Sequence, residues 1–149
     1  MKPEETVDYH VRYVWHAMAR MYNQLGAPHD ISTAMGFVLL NIRTEGGSQA
    51  TKIAPLMGLE SRSLTRMLKS MEDKGLIYRK RDQVDRRSVI IYLTEEGLKK
   101  KRITQEKIRR FNEEIRKEIP LKDLENFFEV MTKMNQFITD NKSLERLAS

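Results

Sequence analysis

The sequence predicts a mainly α-helical chain with one small β-hairpin. Three observations predict it. Apolar residues recur at helical spacing over most of the 149 residues. Two short β-prone runs, LIYRKR (Leu76–Arg81) and SVIIYL (Ser88–Leu93), stand close together with a charged connection between them. Positive charge gathers around that pair: from Glu60 to Ile90 nine Lys or Arg face five acids, a surplus of +4 out of +6 for the chain.

The length fits one domain with one main core. Hydrophobic residues make up 40% and charged residues 32%, the balance of a folded soluble protein. The longest apolar runs, such as FVLL (Phe37–Leu40), are far too short to cross a bilayer. The start MKPEET has acidic residues and no apolar stretch, which argues against a signal peptide. There is no Cys, so disulfides, thiolate catalysis and thiol redox sensing are excluded together. These features fit a cytoplasmic protein without a membrane partner. The basic surplus favours an anionic one.

Each element has a local reason. Val7, Val11, Val14, Met18, Met21 and Leu25 step by 4, 3, 4, 3, 4, which is an a/d-like helical seam. Tyr9, Tyr13, Trp15 and Tyr22 lie off that seam, so the helix needs more than one neighbour. GAPHD (Gly26–Asp30) stops it. Ser32 N-caps a second helix reaching about Arg43, with Ala34, Met35, Val38, Leu39 and Ile42 as its apolar face. TEGGS (Thr44–Ser48) is a loop. A short third helix holds Ile53, Leu56 and Met57, and Pro55 keeps it short, kinked or late to start.

Gly58 permits a tight turn, and Ser61 is read as the N-cap of a fourth helix ending near Lys74 with Gly75 beyond it. Leu64, Leu68 and Met71 face inward there, which turns Arg62, Ser63, Thr65, Arg66 and Lys69 largely outward. The two strands follow, joined by DQVDRR. Thr94 caps a long helix, with Glu95 and Glu96 favourable in its first turn. Pro120 ends that helix, and a last one carries Leu121, Leu124, Phe127, Phe128, Met131, Met134 and Ile138. The tail beyond Asp140 reads as frayed.

A short helix, a glycine turn and a second helix with a polar outer face form a helix–turn–helix, and the hairpin behind it is a wing. The second helix has the size and polarity to lie in a major groove. The run SRSLTRMLKSMEDKGLIYRKRDQVDRRSVIIYLTEEG then resembles the core of the MarR family of bacterial transcription regulators. The matching features are the helix ending in LKSMEDKGLI, Asp85-x-Arg87-Ser88 before the second wing strand, and the helix start LTEEG. The flanking helix order also fits, so the resemblance covers essentially the whole chain.

The resemblance implies one domain over 1–149. A winged helix–turn–helix lobe would occupy 32–95, and a helical dimerisation region 5–26 and 96–140. It implies a homodimer that reads a pseudo-palindrome in double-stranded DNA, acting as a repressor released by a small aromatic or lipophilic effector. The recognition helix, with Ser61, Arg62, Ser63, Thr65, Arg66 and Lys69, would enter the major groove. The wing tip, with Asp85, Arg86 and Arg87, would enter the minor groove. The family's minor-groove Arg maps onto Arg87, with Asp85 orienting it. Between Arg86 and Arg87 the choice stays open, with the strand register at Ser88 expected to decide. Without a Cys, the thiol-oxidation switch of some members is absent.

Blander readings stand beside these. The KKKR run (Lys99–Arg102) reads as a solvated helix face. Trp15 and His16 read as packing residues ahead of effector-pocket residues. His10, His16 and His29 do not converge on a metal, and no cofactor is implied. No phosphate-loop spacing, serine elbow or paired carboxylate supports an enzyme. A winged-helix adaptor that binds protein rather than DNA is the alternative, but it has no need of basic residues on both the recognition helix and the wing tip.

Overall fold

The computed structural model describes residues 2–148. Its helices are α1 (Val7–Gly26), α2 (Thr33–Asn41), α3 (Ala50–Met57), α4 (Ser61–Asp73), α5 (Glu95–Glu118), α6 (Leu121–Thr139) and α7 (Asn141–Ala148). Three strands, β1 (Ser48–Gln49), β2 (Ile77–Arg81) and β3 (Val89–Leu93), form one antiparallel sheet in the order β1-β3-β2. The chain divides into two compact units, residues 1–108 and 109–149, with the division inside α5.

The first unit holds the core. Val38, Leu39 and Ile42 from the α2 segment meet Ile53 of α3, Leu64, Leu68 and Met71 of α4, and Leu76, Ile77 and Ile91 of the hairpin, all buried. Each such side chain contributes about 1.5–3 kcal/mol by leaving water. The inward triplet of α4 is the one its 4-and-3 spacing predicts. Two other expectations turn around. Ala34 and Leu56 are exposed, because α2 and α3 bury Met35, Gly36, Val38 and Leu39, and Ile53 and Ala54, instead.

Ser32 caps α2 as expected, its hydroxyl accepting from the Met35 N–H at 3.2 Å. The helix stops at Asn41 rather than Arg43, since Ile42 turns extended (φ −90°, ψ 124°) to enter the core. This leaves the Ile42 carbonyl inside the protein, where the Lys101 ammonium donates to it. Lys101 is only 7% exposed. Lys100 beside it donates to the carbonyl of His29. The KKKR run is therefore not simply a solvated face: two of its members reach main-chain carbonyls, where positive charge is favoured at a helix C-terminus.

The expected loop at 44–48 contains the start of a third strand. Ser48 pairs with Ile91 and Gln49 with Ile90. The Ser48 hydroxyl accepts from the Arg43 N–H at 2.9 Å, which holds the loop closed.

The strands leave the core through one compact joint. The Leu76 carbonyl accepts from Thr94 N–H at 3.0 Å. The Thr94 hydroxyl donates to the Gly75 carbonyl at 2.7 Å and accepts from Gly97 N–H at 3.0 Å, so it caps α5 as expected. A Cβ on Gly97 would lie 2.0 Å from the Leu76 oxygen. The glycine of LTEEG is thus fixed by a backbone approach, not by its own φ.

On α1 the apolar seam is out in solvent along Val7, Val11 and Val14. Trp15, expected to be packed, is about half exposed. In the second unit α6 exposes Phe127, Phe128, Phe137 and Ile138. The tail is not frayed: Asp140 accepts from the N–H and hydroxyl of Ser143 (2.9 and 2.8 Å) and starts α7.

Two predictions follow from this packing. Gly97→Ala should destabilise the protein by ~3 kcal/mol through forced backbone displacement, read as a lower urea midpoint. Burial pushes the Lys101 ammonium below the usual lysine value of 10.5. The unfolded chain then binds more protons between the depressed value and 10.5, so in that window stability rises with pH. Unfolding free energy of wild type minus Lys101→Met should climb as pH is raised from 7 towards 10.5; a flat difference would mean the ammonium is not desolvated.

Candidate nucleic-acid interface

The helix–turn–helix is built from α3, the turn Gly58–Glu60 and α4. Pro55 is the sixth residue of α3, where its missing N–H removes a single intrahelical bond in a helix that ends two residues later. Gly58 turns left-handed (φ 63°), and the Leu59 N–H reaches back to the Ala54 carbonyl at 3.0 Å. That closure serves the last carbonyls of α3. Glu60 occupies the N-cap position of α4 without a side-chain cap bond, and Ser61 is its first residue. The expected role of Ser61 as N-cap is therefore incorrect: the extended residue at the turn is Glu60 (ψ 145°).

With Leu64, Leu68 and Met71 buried, Ser61, Arg62, Ser63, Thr65, Arg66 and Lys69 all lie exposed on α4. Arg62, Arg66 and Lys69 share one stripe by their spacing of 4 and 3. The Thr65 hydroxyl donates to the Ser61 carbonyl at 2.8 Å, which leaves its lone pairs as acceptors. Thirteen helical residues span about 20 Å, enough to cross a major groove about 12 Å wide.

The wing is tied to this helix. Arg79 of β2 meets Glu72 of α4 at 3.1 Å. In the sequence the two count only as a base and an acid; the antiparallel return of the chain after Gly75 is what brings them together. On the outer face of the sheet Tyr78 and Tyr92 stack at 5.3 Å, with the Lys80 ammonium 5.5 and 5.9 Å from their ring centres.

At the wing tip both aspartates turn to main chain. Asp82 Oδ1 accepts from Val84 N–H at 2.9 Å. Asp85 Oδ1 accepts from Arg87 N–H at 3.0 Å, and its Oδ2 from the Ser88 hydroxyl at 2.9 Å. Asp85 thus holds Arg87 by its backbone rather than by its guanidinium. Among the described residues, the side chains of Arg86 and Arg87 have no hydrogen bond or ion pair, and both are exposed. Strand pairing ends at Arg81↔Val89. Ser88 and both arginines are outside the ladder, so strand register does not choose between them. Val84, at the same tip, is 97% exposed.

The chain is similar to known proteins in sequence and fold. The family model described as "MarR family" matches residues 31–89. The HTH-type transcriptional regulator TtmR of Methylorubrum extorquens (strain PA1) is 38% identical over 82 residues, 55% of this chain and 42% of that protein. The organic hydroperoxide resistance transcriptional regulator of Bacillus subtilis (strain 168) is 39% identical over 80 residues, 54% of each chain. The chain spans about half the length of these curated relatives. Among solved structures, a S. aureus MepR–DNA complex superposes with TM-score 0.80 at 24% identity, covering 88% of this chain and 97% of that one. The repressor CouR bound to a 23-mer DNA duplex gives TM-score 0.77 at 22% identity, with coverage of 89% and 94%. These structures share the fold.

Asp85→Ala should free the tip without unfolding the protein. Amide exchange at Arg87 and Ser88 is expected to quicken several-fold, with the thermal midpoint unchanged. Unaltered exchange at both amides would show that the carboxylate does not hold the turn.

Proposed function

We propose that the chain is a member of the MarR family, whose model matches residues 31–89, and that it is a homodimeric regulator of transcription which binds a pseudo-palindromic DNA site. The observation that carries the reading is the pairing of two basic surfaces. One is the Arg62–Arg66–Lys69 stripe of α4, and the other is the wing tip with its unpaired Arg86 and Arg87. The named relatives are regulators of transcription.

In this reading α4 lies in the major groove. Arg62 and Arg66 can bond guanine O6 and N7, and Ser61, Ser63 and Thr65 can reach base edges or phosphates. Lys69 holds a phosphate. The wing carries Arg87 into a narrow minor groove, where negative potential is enhanced, while Asp85 keeps the turn in shape. Arg86 takes the adjacent phosphate. Counterion release makes the affinity steeply salt-dependent.

Self-association is supported by the large apolar side chains that α1 and α6 each leave in water, among them Val7, Val11 and Val14 on α1 and Phe127, Phe128 and Ile138 on α6. The helical regions 5–26 and 96–140 then serve the dimer, and 32–95 the DNA. Two lobes must present their α4 helices about 34–36 Å apart to meet successive major grooves. An effector that favours another spacing lowers DNA affinity by linkage, typically by 1–3 kcal/mol, which is how a repressor would be released. Among the described residues no helix is long and apolar enough to cross a membrane.

Selection of bound fragments from the source genome is the test. A pseudo-palindrome with half-sites one helical turn apart is expected, bound by a species that sediments as a dimer. Arg87→Ala should bind it ~10–100-fold more weakly, about 1–3 kcal/mol, and still sediment as a dimer. No enriched sequence would favour a protein-binding adaptor, and an unweakened Arg87→Ala would remove the wing from the contact.

A further inference from the structure

Among the described residues, the most exposed large apolar side chain is Val84, with 97% of its surface in water. The next, Leu56 and Leu147, stand at 69%. Val84 lies between Asp82 and Asp85 in the loop of the hairpin, three residues before Arg87. A turn in solvent favours Gly, Pro, Asn, Asp and Ser, each for a backbone reason. A branched apolar residue has no such reason to be there.

The loop fixes the backbone on both sides of this side chain. The Val84 N–H donates to Asp82 Oδ1 at 2.9 Å. The Asp82 N–H donates to the Ser88 carbonyl at 2.9 Å, and the Ser88 N–H to the Asp85 carbonyl at 2.9 Å. Asp85 Oδ1 accepts from the Arg87 N–H at 3.0 Å. Two methyl groups therefore stand out from a tied loop. Branching at Cβ already restricts their rotamers, so little side-chain freedom is left to lose when they are buried.

The surroundings select what buries them. Gln83, Asp85, Arg86 and Arg87 are all exposed, so Val84 is a single apolar point and not part of a patch. A flat apolar protein surface would gain one residue and desolvate four polar ones. A narrow slot with apolar walls and an anionic rim suits it better. The DNA minor groove is such a slot, about 6 Å wide and 7.5 Å deep. Its walls are deoxyribose and its rim is phosphate, which Arg86 and Arg87 complement. Apolar side chains are used in this way by proteins that enter the minor groove.

The floor of the groove adds selectivity. A·T and T·A pairs offer only acceptors there, adenine N3 and thymine O2. A neighbouring guanidinium can donate to these. A G·C pair adds the guanine 2-amino group, a donor that projects into the groove. Covered by two methyl groups, that donor loses water and gains no acceptor, which is costly.

We propose that Val84 is a second reader of the wing: it packs into the minor groove beside Arg87 and rejects G·C pairs at the base step it covers. The inference deepens the DNA-binding reading and rests on it. It goes beyond the resemblance, which assigns the wing an arginine and no apolar reader.

The test uses the full chain and duplexes built on the genomic fragment that it selects. Base pairs flanking each half-site are set to A·T, inosine·C or G·C. Inosine·C has the major-groove edge of G·C without the 2-amino group in the minor groove. Wild type is expected to bind A·T and inosine·C alike, and G·C at least ~10-fold more weakly. Val84→Thr keeps the size and adds a hydroxyl that can accept from the amino group; it should bring G·C to within ~3-fold of A·T. Val84→Ala should weaken A·T binding about 3- to 10-fold with the salt dependence unchanged, since no phosphate contact is lost. Arg87→Ala should instead make the salt dependence shallower. Both Val84 variants should keep the wild-type thermal midpoint, because the side chain is in water. Wild type that treats inosine·C like G·C would overturn the minor-groove contact. Val84→Thr and Val84→Ala that discriminate as wild type does would overturn the role of Val84 and leave any A·T preference to Arg87. Wild type that binds no duplex above a scrambled one would overturn the DNA-binding reading itself, and the inference with it.

Discussion

One joint sets the geometry of the proposed DNA-binding surface. The Leu76 carbonyl receives the Thr94 N–H and lies so close to Gly97 that no Cβ fits between them. Four elements meet there. The end of α4 turns at Gly75, β2 departs from Leu76, β3 returns at Leu93, and α5 begins under the Thr94 hydroxyl. The α4 helix and the hairpin consequently leave one closely packed joint in directions set by it. The Glu72–Arg79 pair adds a second tie farther out, but it is half in solvent and worth less than ~1 kcal/mol. Backbone sterics, not that ion pair, do most of the aiming.

A second constraint acts on charge. The wing tip carries two acids and two bases over six residues, which on paper cancel. In space they do not. Asp82 and Asp85 accept from main-chain N–H groups and the Ser88 hydroxyl, and so are turned into the structure of the loop. Charge-assisted bonds of this kind are among the stronger local contacts. The guanidinium groups are left facing outward. A loop with no net charge by count thus presents a cationic surface, the arrangement an anionic groove requires and a neutral protein partner does not.

Much of this was legible in the sequence, for identifiable reasons. Leu64, Leu68 and Met71 repeat at a helical period, so the inward face of α4, and with it the outward face, could be read before any coordinates. Thr94-Glu95-Glu96-Gly97 carries its own local capping chemistry. What the sequence hid was decided at long range. A two-residue strand at Ser48 has no period to detect; it exists because β3 offers it an edge. Leu56 and Ala34 are apolar yet exposed, since composition cannot say which side of a short helix the core lies on. Ser61 lost its predicted cap to Glu60 because the Gly58 turn closes one residue earlier in effect than capping preference alone suggests. Lys101 sits in a run of four cations that any reader would leave in water.

That lysine also shows how the first unit couples its parts. The α2 segment must bend at Ile42 to bring that side chain into the core, and the bend strands a carbonyl. Only a donor from another element can satisfy it, because α2 itself has ended. The Lys101 side chain comes from α5, long enough to bury its methylenes against the core and still deliver an ammonium. A neutral apolar residue at 101 would pack as well but leave the carbonyl orphaned, at about 1–3 kcal/mol. The position therefore fastens α5 to the element that buttresses α3 and α4. Since α1 packs on the same α2 through the Thr33 and Asn23 bonds, α2 is held at both ends, by α1 at its start and by α5 at its close.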